Sequence, residues 1–385
     1  MTEDWQQGGF GLYIHWPFCE AKCPYCDFNS HVTKTIDQRA WRDAYLLELR
    51  RYAALTKGRV LNAVFFGGGT PSLMDPETVA EVISEIRTLW PIANDLEITL
   101  EANPSSVEAG RFAAFRQAGV SRISMGIQAL NDHDLKRLGR LHNTSEALKA
   151  FDIARTTFDR VSFDLIYGRQ DQSVAEWEAE LKQALTLAID HISLYQLTIE
   201  NGTAFGDRYA IGKLRGLPDE DLGADLYQKT QEICGAFNMP AYEVSNHARD
   251  GAQSRHNLIY WRYGDYIGIG PGAHGRVTLD GQKFATECFS NPTRWLSAVA
   301  EGKTERDPTA LSKDEQATEF LLMGLRLKEG ISLSRYENLT GNALPQSKLE
   351  HLSEIGMLNV DSDRLNVTDQ GLMVLNAVLE HLMVD

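Results

Sequence analysis

The sequence predicts an α/β protein in which a parallel sheet covered by helices is followed by a small C-terminal α+β module. Three observations support this. Strand-like and helix-like segments alternate about six times between Gly11 and Leu197, near the ~30 residues per unit of a parallel crossover. The chain has 385 residues, more than the ~100–200 of an ordinary domain. Its apolar fraction of 43% is close to the ~45–50% of chains that build a packed core, and no repeat or low-complexity segment interrupts it.

The elements follow in order. Gly11–Trp16 is short, apolar and aromatic, as strands are. A cysteine-rich loop comes directly after it. Apolar residues at helical spacing among many charges predict a helix from Ile36 to Leu55. Val60–Phe66 reads as a continuous apolar strand, stopped by Gly67-Gly68-Gly69-Thr70-Pro71. A helix is expected over Pro76–Trp90, with its Pro in the first turn and Asp75 as N-cap. Leu96–Glu101 is expected as a strand, Ser105–Ala118 as a helix closed by Gly119, and Val120–Gln128 as a strand. Helices over Asp132–Gly139 and Ser145–Thr156, a strand over Val161–Tyr167, a helix over Val174–Ala188 and a strand over His191–Leu197 complete the series. Periodicity alone leaves a barrel, a partial barrel and an open doubly wound sheet as alternatives. In all three the chemistry sits at the carboxyl ends of the strands. There the sequence puts the cysteine loop, the glycine turn, Glu101, Gln128 and Asp164.

The character changes after about residue 300, which divides the chain into domains 1–300 and 301–385. An amphipathic helix over Asp314–Leu327 and a second over Pro345–Ile355 precede two short apolar runs flanking Asp361-Ser362-Asp363, a hairpin signal within Met357–Val367. A last helix is expected from Gly371 to Leu382. Helices followed by a hairpin describe a winged-helix-like module, here read as a packing or lid domain rather than a DNA reader.

Charge supports that reading. Lys and Arg total 38 against 53 Asp and Glu, a formal net charge of −15. Nucleic acid and anionic lipid surfaces both demand a basic footprint, so neither is expected as a partner. No apolar run approaches the ~18 residues of a membrane helix. Met1–Gln7 is polar, without the basic and apolar regions of a signal peptide, so a cytoplasmic protein is expected.

Three of the five cysteines, Cys19, Cys23 and Cys26, fall in the spacing C-x3-C-x2-C, whereas Cys234 and Cys288 are isolated and expected to be inert buried thiols. In a reducing compartment clustered thiols are metal ligands or redox groups. A structural zinc ion needs a fourth ligand, for which His15 and His31 are the neighbours on offer. A disulfide leaves one thiol over. Iron–sulfur clusters accept thiolates at this short spacing, and three of them leave one iron of a four-iron cluster open.

Tyr13-Ile14-His15-Trp16-Pro17-Phe18-Cys19 followed by Cys23-Pro24-Tyr25-Cys26-Asp27-Phe28 resembles the radical S-adenosylmethionine (SAM) enzymes. Within them the chain is similar to the oxygen-independent coproporphyrinogen III oxidases and their relatives, haem chaperones of the HemW type, along nearly its whole length. The resemblance implies a partial (βα)6-type barrel. It also implies a [4Fe–4S] cluster on Cys19, Cys23 and Cys26, SAM on the open iron, and an electron donor. Gly67–Pro71, with Gly68, Gly69 and Thr70 at its centre, looks like the family's glycine motif for the SAM amino group; taken alone it is a tight strand-to-helix turn. Glu101, Gln128, Arg140 and Asp164 match family segments that contact SAM, and Tyr13 and Tyr25 match positions near the cluster and adenine; in isolation each is an ordinary ion pair, cap or core aromatic.

Two departures from the oxidase pattern put porphyrinogen decarboxylation in question. The oxidases carry another Cys two residues after the third cluster Cys, where this chain has Phe28, and they have a longer N-terminal extension. His256-Asn257-Leu258-Ile259-Tyr260-Trp261 matches the H-N-x-x-Y-W signature of the haem chaperones, which implies a haem role for His256 and delivery of haem to acceptor proteins. Gly268–Gly275 resembles the family's last barrel segment. Oxidative decarboxylation in porphyrin synthesis stays as the alternative function.

Overall fold

The computed structural model describes residues 3–383, apart from the side chains of residues 106 and 107. The start of the polar N-terminal segment, residues 1 and 2, and the last two residues of the expected second domain lie outside the described residues.

One sheet organises most of the chain. Its strands are β1 (Phe10–Trp16), β2 (Leu61–Gly68), β3 (Ile92–Ala102), β4 (Arg122–Gln128), β5 (Arg160–Tyr167), β6 (His191–Gln196), β7 (Asn246–Ala248), β8 (Asp265–Ile269), β9 (His274–Leu279), β10 (Gln282–Glu287) and β11 (Thr309–Ala310). They lie in the order β11-β10-β9-β8-β1-β2-β3-β4-β5-β6-β7. Every pairing from β8 through β1 to β6 is parallel, and the flanking pairings are antiparallel. Crossover helices Gln38–Leu55, Pro76–Leu89, Thr144–Thr157 and Val174–Leu187 cover the outer face. The sheet curls so that non-adjacent strands touch across the inside: Arg160 of β5 donates to Glu97 of β3 at 3.0 Å, and Arg122 of β4 to His191 of β6 at 3.3 Å. The result is a partial barrel, its seam between β6–β7 and β8–β9.

Local chemistry explains the helices. Asn143 with Glu146, and Ser173 with Glu176, form capping boxes that satisfy the first free amides. Val79, Val82, Ile83 and Ile86 are buried at the spacing of one helical face. The core between sheet and helices includes the fully buried Trp16, Trp177, Trp295, Tyr45 and Phe66.

Some expectations change. The helix expected over Ser105–Ala118 is two pieces, Ser106–Ala109 and Phe112–Ala118. In the first of them the buried Glu108 carboxylate accepts the Asn103 N–H at 2.7 Å and the Ser72 hydroxyl, which ties this turn inward. Asp75 holds the N-cap position of Pro76–Leu89 but its side chain makes no cap bond. The last helix breaks at Val374 into Asp369–Met373 and Leu375–Met383. Strand β11 belongs to the large sheet, so the barrel layer runs to Ala310 rather than ending near residue 300. Sequence reading assigned no element to Glu220–Ala236, a helix that packs against Val174–Leu187.

The C-terminal part has its own core, in which Phe320, Leu321, Leu349, Leu352, Leu365 and Leu379 pack together with Tyr263 from the barrel side. The expected hairpin is present as Leu358–Asp361 and Arg364–Val367, with Ser362 in the left-handed region (φ 51°) at its turn and Ile331–Ser332 as third strand. Arg335 grips Asp4 at 2.7 and 2.8 Å and Arg276 pairs with Glu319 at 2.7 Å, which fixes this module against the barrel. Among the described residues no helix is long and apolar enough to cross a membrane.

Candidate functional site

The cysteine loop leaves the end of β1 and is clasped at its base, where Phe18–Cys19 pairs in parallel with His31–Val32. The Cys26 N–H bonds to the Cys23 carbonyl at 3.1 Å, which sets the turn between the last two thiols. The glycine turn at the end of β2 holds the loop from below. Gly69 N–H donates to the Trp16 carbonyl at 2.7 Å and Thr70 N–H to the Phe18 carbonyl at 2.8 Å. Only glycine fits there: a Cβ on Gly69 would lie 2.6 Å from the Phe18 carbonyl oxygen. Gly68 sits at φ 110°, where a Cβ would meet the His15 ring at 2.5 Å. Gly69→Ala is therefore expected to push the loop off its seat and cut iron incorporation several-fold, measured as iron and sulfide per chain after anaerobic reconstitution.

Eleven of the thirteen predicted site residues line one cleft at the carboxyl ends of the strands: Cys19, Cys23, Cys26, Tyr25, Gly68, Gly69, Thr70, Glu101, Gln128, Arg140 and Asp164. The cleft is narrow, with a cavity volume of about 140 Å³, and opens to solvent at its mouth. Arg140 is its hub. One guanidinium nitrogen donates to Cys23 Sγ at 3.1 Å and another to Asn103 Oδ1 at 2.6 Å and the Gly126 carbonyl at 2.9 Å. Thr70 Oγ1 faces Cys19 Sγ at 3.5 Å and accepts from Asn103 Nδ2 at 3.2 Å. Asn103 and Ser124 line the cleft as well, and sequence reading missed both. Their only signal was position at or near the ends of β3 and β4.

The electrostatics are those of a cation site. Burial, with the Asp164 charge adding to it, pushes Glu101 up to about 8, although the Gly68 N–H donates to its carboxylate at 3.1 Å. Burial likewise pushes Asp164 up to about 6, against a hydrogen bond from Ser193 and the charges of Arg122 and Arg140. Burial raises the Cys19 and Cys26 thiols, so a bound metal must supply the charge that deprotonates them.

Two predicted residues lie elsewhere. Tyr13 sits beneath the cleft, its hydroxyl bonded to His15 Nδ1 at 2.8 Å and its ring stacked on Phe65 at 6.0 Å. His256 is deeper still. It stacks on the other end of this column, 3.9 Å from the Phe65 ring centroid. Its Nδ1 bonds Ser254 Oγ at 2.8 Å and lies 3.7 Å from Glu97 in the middle of β3. The Arg255–Trp261 helix thus plugs the inner end of the barrel, and His256, 8% exposed, points into the protein. The structure thus places His256 apart from the cleft that gathers the other predicted residues. Truncating this ring leaves a cavity and an unsatisfied Ser254. His256→Ala is expected to cost about 2–4 kcal/mol in urea unfolding.

The donor set fits an iron–sulfur cluster better than zinc. Both His15 nitrogens are occupied, Nδ1 by Tyr13 and Nε2 by the Asn29 carbonyl at 2.9 Å, and His31 Nε2 faces Asn29 Oδ1 at 3.2 Å. A fourth zinc ligand is thus lacking in either histidine. Cys19, Cys23 and Cys26 are free, half-buried and line the same cleft as the polar groups. Those groups fit SAM: two buried carboxylates for cations, the glycine turn for close approach, and Gln128 Oε1 and Arg140 Nε, both buried without a hydrogen-bond partner among the described residues. Gln128 is itself held in the left-handed region (φ 76°), which marks a built site rather than a strand end in passing.

The family profile described as Radical SAM superfamily matches residues 13–184, and the HemN C-terminal domain matches residues 311–374. The chain is 38% identical over 379 residues to the heme chaperone HemW of Escherichia coli, covering 97% of this chain and 98% of that protein. It is 39% identical over 384 residues to the mouse protein "Radical S-adenosyl methionine domain-containing protein 1, mitochondrial", covering 97% of this chain and 87% of that protein. The solved structure of coproporphyrinogen III oxidase (HemN) from Escherichia coli is similar in fold, with a TM-score of 0.80 at 22% identity over 99% of this chain and 92% of that one.

Proposed function

Because the chain belongs to the radical SAM superfamily, in the family of the haem chaperone HemW, we propose that it binds haem and passes it to acceptor proteins, with a [4Fe–4S] cluster and SAM as resident cofactors. The observation that supports this most directly is the single cleft joining the three thiols to Arg140, Glu101 and Asp164.

Cys19, Cys23 and Cys26 would hold the cluster. Gly68, Gly69, Thr70, Glu101, Gln128, Arg140 and Asp164 would hold SAM, with Tyr25 on the loop beside them. When both groups are bound and the cluster is reduced, the pair supplies reductive cleavage of the sulfonium–carbon bond. The chain's own work is positional. Arg140 fixes Cys23 and would offer its guanidinium to the SAM carboxylate. Glu101 and Asp164 provide negative charge where SAM is cationic. The Tyr13–Phe65–His256 column and the Arg255–Trp261 helix close the inner end and keep water from the site.

Phe28 stands where the oxidases carry a further Cys and is 56% exposed at the lip of the cleft, which favours the chaperone over the oxidase. The half-buried free thiols suit a reducing compartment such as the cytoplasm. The test uses one anaerobically reconstituted sample, assayed for haem binding, transfer of haem to an apo-haem protein and conversion of coproporphyrinogen III. Haem binding and transfer without turnover is expected; efficient decarboxylation would overturn the reading in favour of the oxidase.

A further inference from the structure

The five most exposed large apolar side chains among the described residues are Leu141, Ile211, Tyr209, Val32 and Phe28, at 69% down to 56%, with the next at 50%. All five stand on segments that touch the cysteine loop. Phe28 belongs to the loop, and Val32 to the short strand that clasps it, paired with Cys19. Leu141 follows Arg140, whose guanidinium holds Cys23 Sγ at 3.1 Å, and a Cβ on the neighbouring Gly139 would lie 2.6 Å from Pro24 of the loop. Tyr209 is on the helix Ala204–Ala210, and Ile211 is its C-cap. This helix is seated on the loop by the Phe205 N–H, which donates to the Pro24 carbonyl at 2.8 Å, and by the Phe205 and Tyr25 rings at 6.3 Å. Single exposed apolar side chains need no account, but a group of them gathered round one site marks a surface that meets another molecule.

The charges there run against those of the whole chain. Segment 204–216 carries Arg208, Lys213 and Arg215 against Asp207 alone, in a chain of formal net charge −15. The Lys213 N–H donates to the Arg208 carbonyl at 2.8 Å, and the Arg215 carbonyl accepts from Gln170 Nε2 at 2.7 Å, so the segment is tied down. Lys22 adds a fourth cation on the lining of the cleft. All four are exposed, and none has a carboxylate within ion-pair reach among the described residues. A partner seated on this face has to be acidic, and it meets the cysteine loop before any other part of the barrel.

We propose that this face docks a small acidic electron-carrier protein, with Lys22, Arg208, Lys213 and Arg215 drawing it in and Leu141, Tyr209 and Ile211 forming the apolar contact. This rests on the proposed cluster and SAM chemistry and brings the reductant which that chemistry requires. One electron passes from the reduced carrier to the cluster, which goes from the 2+ to the 1+ state; the carrier is left oxidised by one electron and no atom is transferred. Complexes of this kind are small and transient, and opposite charge acts mainly on their rate of encounter.

The experiment mixes the full, cluster-loaded chain with a strongly acidic flavodoxin held in its fully reduced form, and follows the loss of the cluster's visible absorbance by anaerobic stopped flow. The wild-type rate is expected to fall several-fold between about 50 and about 500 mM salt. The triple variant Arg208→Glu/Lys213→Glu/Arg215→Glu is expected to react at least ~10-fold more slowly at low salt and to lose that dependence. Lys149→Glu/Lys303→Glu/Lys313→Glu, the same change in net charge on other faces, is expected to react as wild type. Tyr209→Ser/Ile211→Ser is expected to weaken binding of the oxidised carrier ~5-fold or more and to keep the salt dependence. Dithionite, which needs no docking, is expected to reduce the cluster equally in every variant. A wild-type rate in the first triple variant, equal slowing in the control triple, or slowing of haem transfer to an apo-haem protein in place of cluster reduction would overturn the surface alone. A wild-type chain that assembles no cluster, or one that dithionite does not reduce, would overturn the cofactor reading and the surface with it.

Discussion

Replacing Cys23 by Ser is expected to abolish cluster assembly and, with it, detectable SAM binding, while the barrel stays folded. The argument starts from the three thiols' unequal surroundings. Cys19 and Cys26 are held up as thiols by burial, offset by hydroxyl and amide neighbours and, at Cys19, also by the Arg140 charge. Cys23 alone accepts from a guanidinium, Arg140 Nη1 at 3.1 Å. Serine removes the sulfur that Arg140 positions and that the cluster requires as a ligand. The fold is not expected to depend on this thiol, because Cys23 lies outside the packed core of the barrel between sheet and helices. The expected result is near-zero iron and sulfide, loss of the absorbance near the cluster's visible band, and an unfolding midpoint in urea within about 0.5 kcal/mol of wild type, as for substitutions away from the core. Retention of a full complement of iron in Cys23→Ser would remove Cys23 from the ligand set. Arg140→Lys probes the same contact from the other side: a point charge replaces a planar fork that serves Cys23, Asn103 and Gly126 at once, so SAM affinity should fall ~10–100-fold while iron content is reduced only in part.

The elements that sequence reading placed well are those whose signals are local. A continuous apolar strand ending in Gly67-Gly68-Gly69, and three cysteines at short spacing, announce themselves within a dozen residues, and the structure brings both to one cleft with Glu101, Gln128 and Asp164. What it could not place depends on partners far along the chain. His256 sits in an aromatic hexapeptide, and its neighbours Phe65, Glu97 and Arg122 come from β2, β3 and β4, more than a hundred residues earlier. Asn103 shows the same limit. Its importance lies in Arg140 and Thr70, each more than thirty residues away. Strand β8, which extends the sheet on the far side of β1 in the register Phe10↔Asp265, has no local cue for parallel pairing across 255 positions. Periodicity shows which face of a segment is apolar, and it is silent on which distant polar group will be drawn into the barrel with it.

Glu101→Gln is expected to separate binding from stability, because the same burial drives both in opposite directions. In an unfolded chain a glutamate ionises near ~4.3, whereas in the folded, unliganded protein burial and Asp164 push Glu101 up to about 8. Between those values the native state holds a proton that the unfolded state has released. Unliganded stability therefore falls as pH rises through that window. SAM reverses the sense. Its sulfonium and amino cations favour the ionised carboxylates, so binding expels the proton and the dissociation constant should tighten ~10-fold or more from pH 6.5 to 8.5. Glutamine cannot ionise, so it abolishes the part of that slope centred near 8 and leaves only the lower part that belongs to Asp164, at about 6. At pH 8.5 the variant should bind SAM ~30–150-fold more weakly, the loss of one charge-assisted contact. In urea at the same pH, without SAM, it should be more stable than wild type by about 1–2 kcal/mol, since no buried charge has to be carried. Calorimetric titration of the cluster-loaded protein across this range checks the slope, and unfolding of the unliganded protein checks the gain. A variant that keeps the full pH dependence would move the titrating group to another residue. A variant less stable than wild type would show that the carboxylate contributes more through the Gly68 N–H than burial takes away.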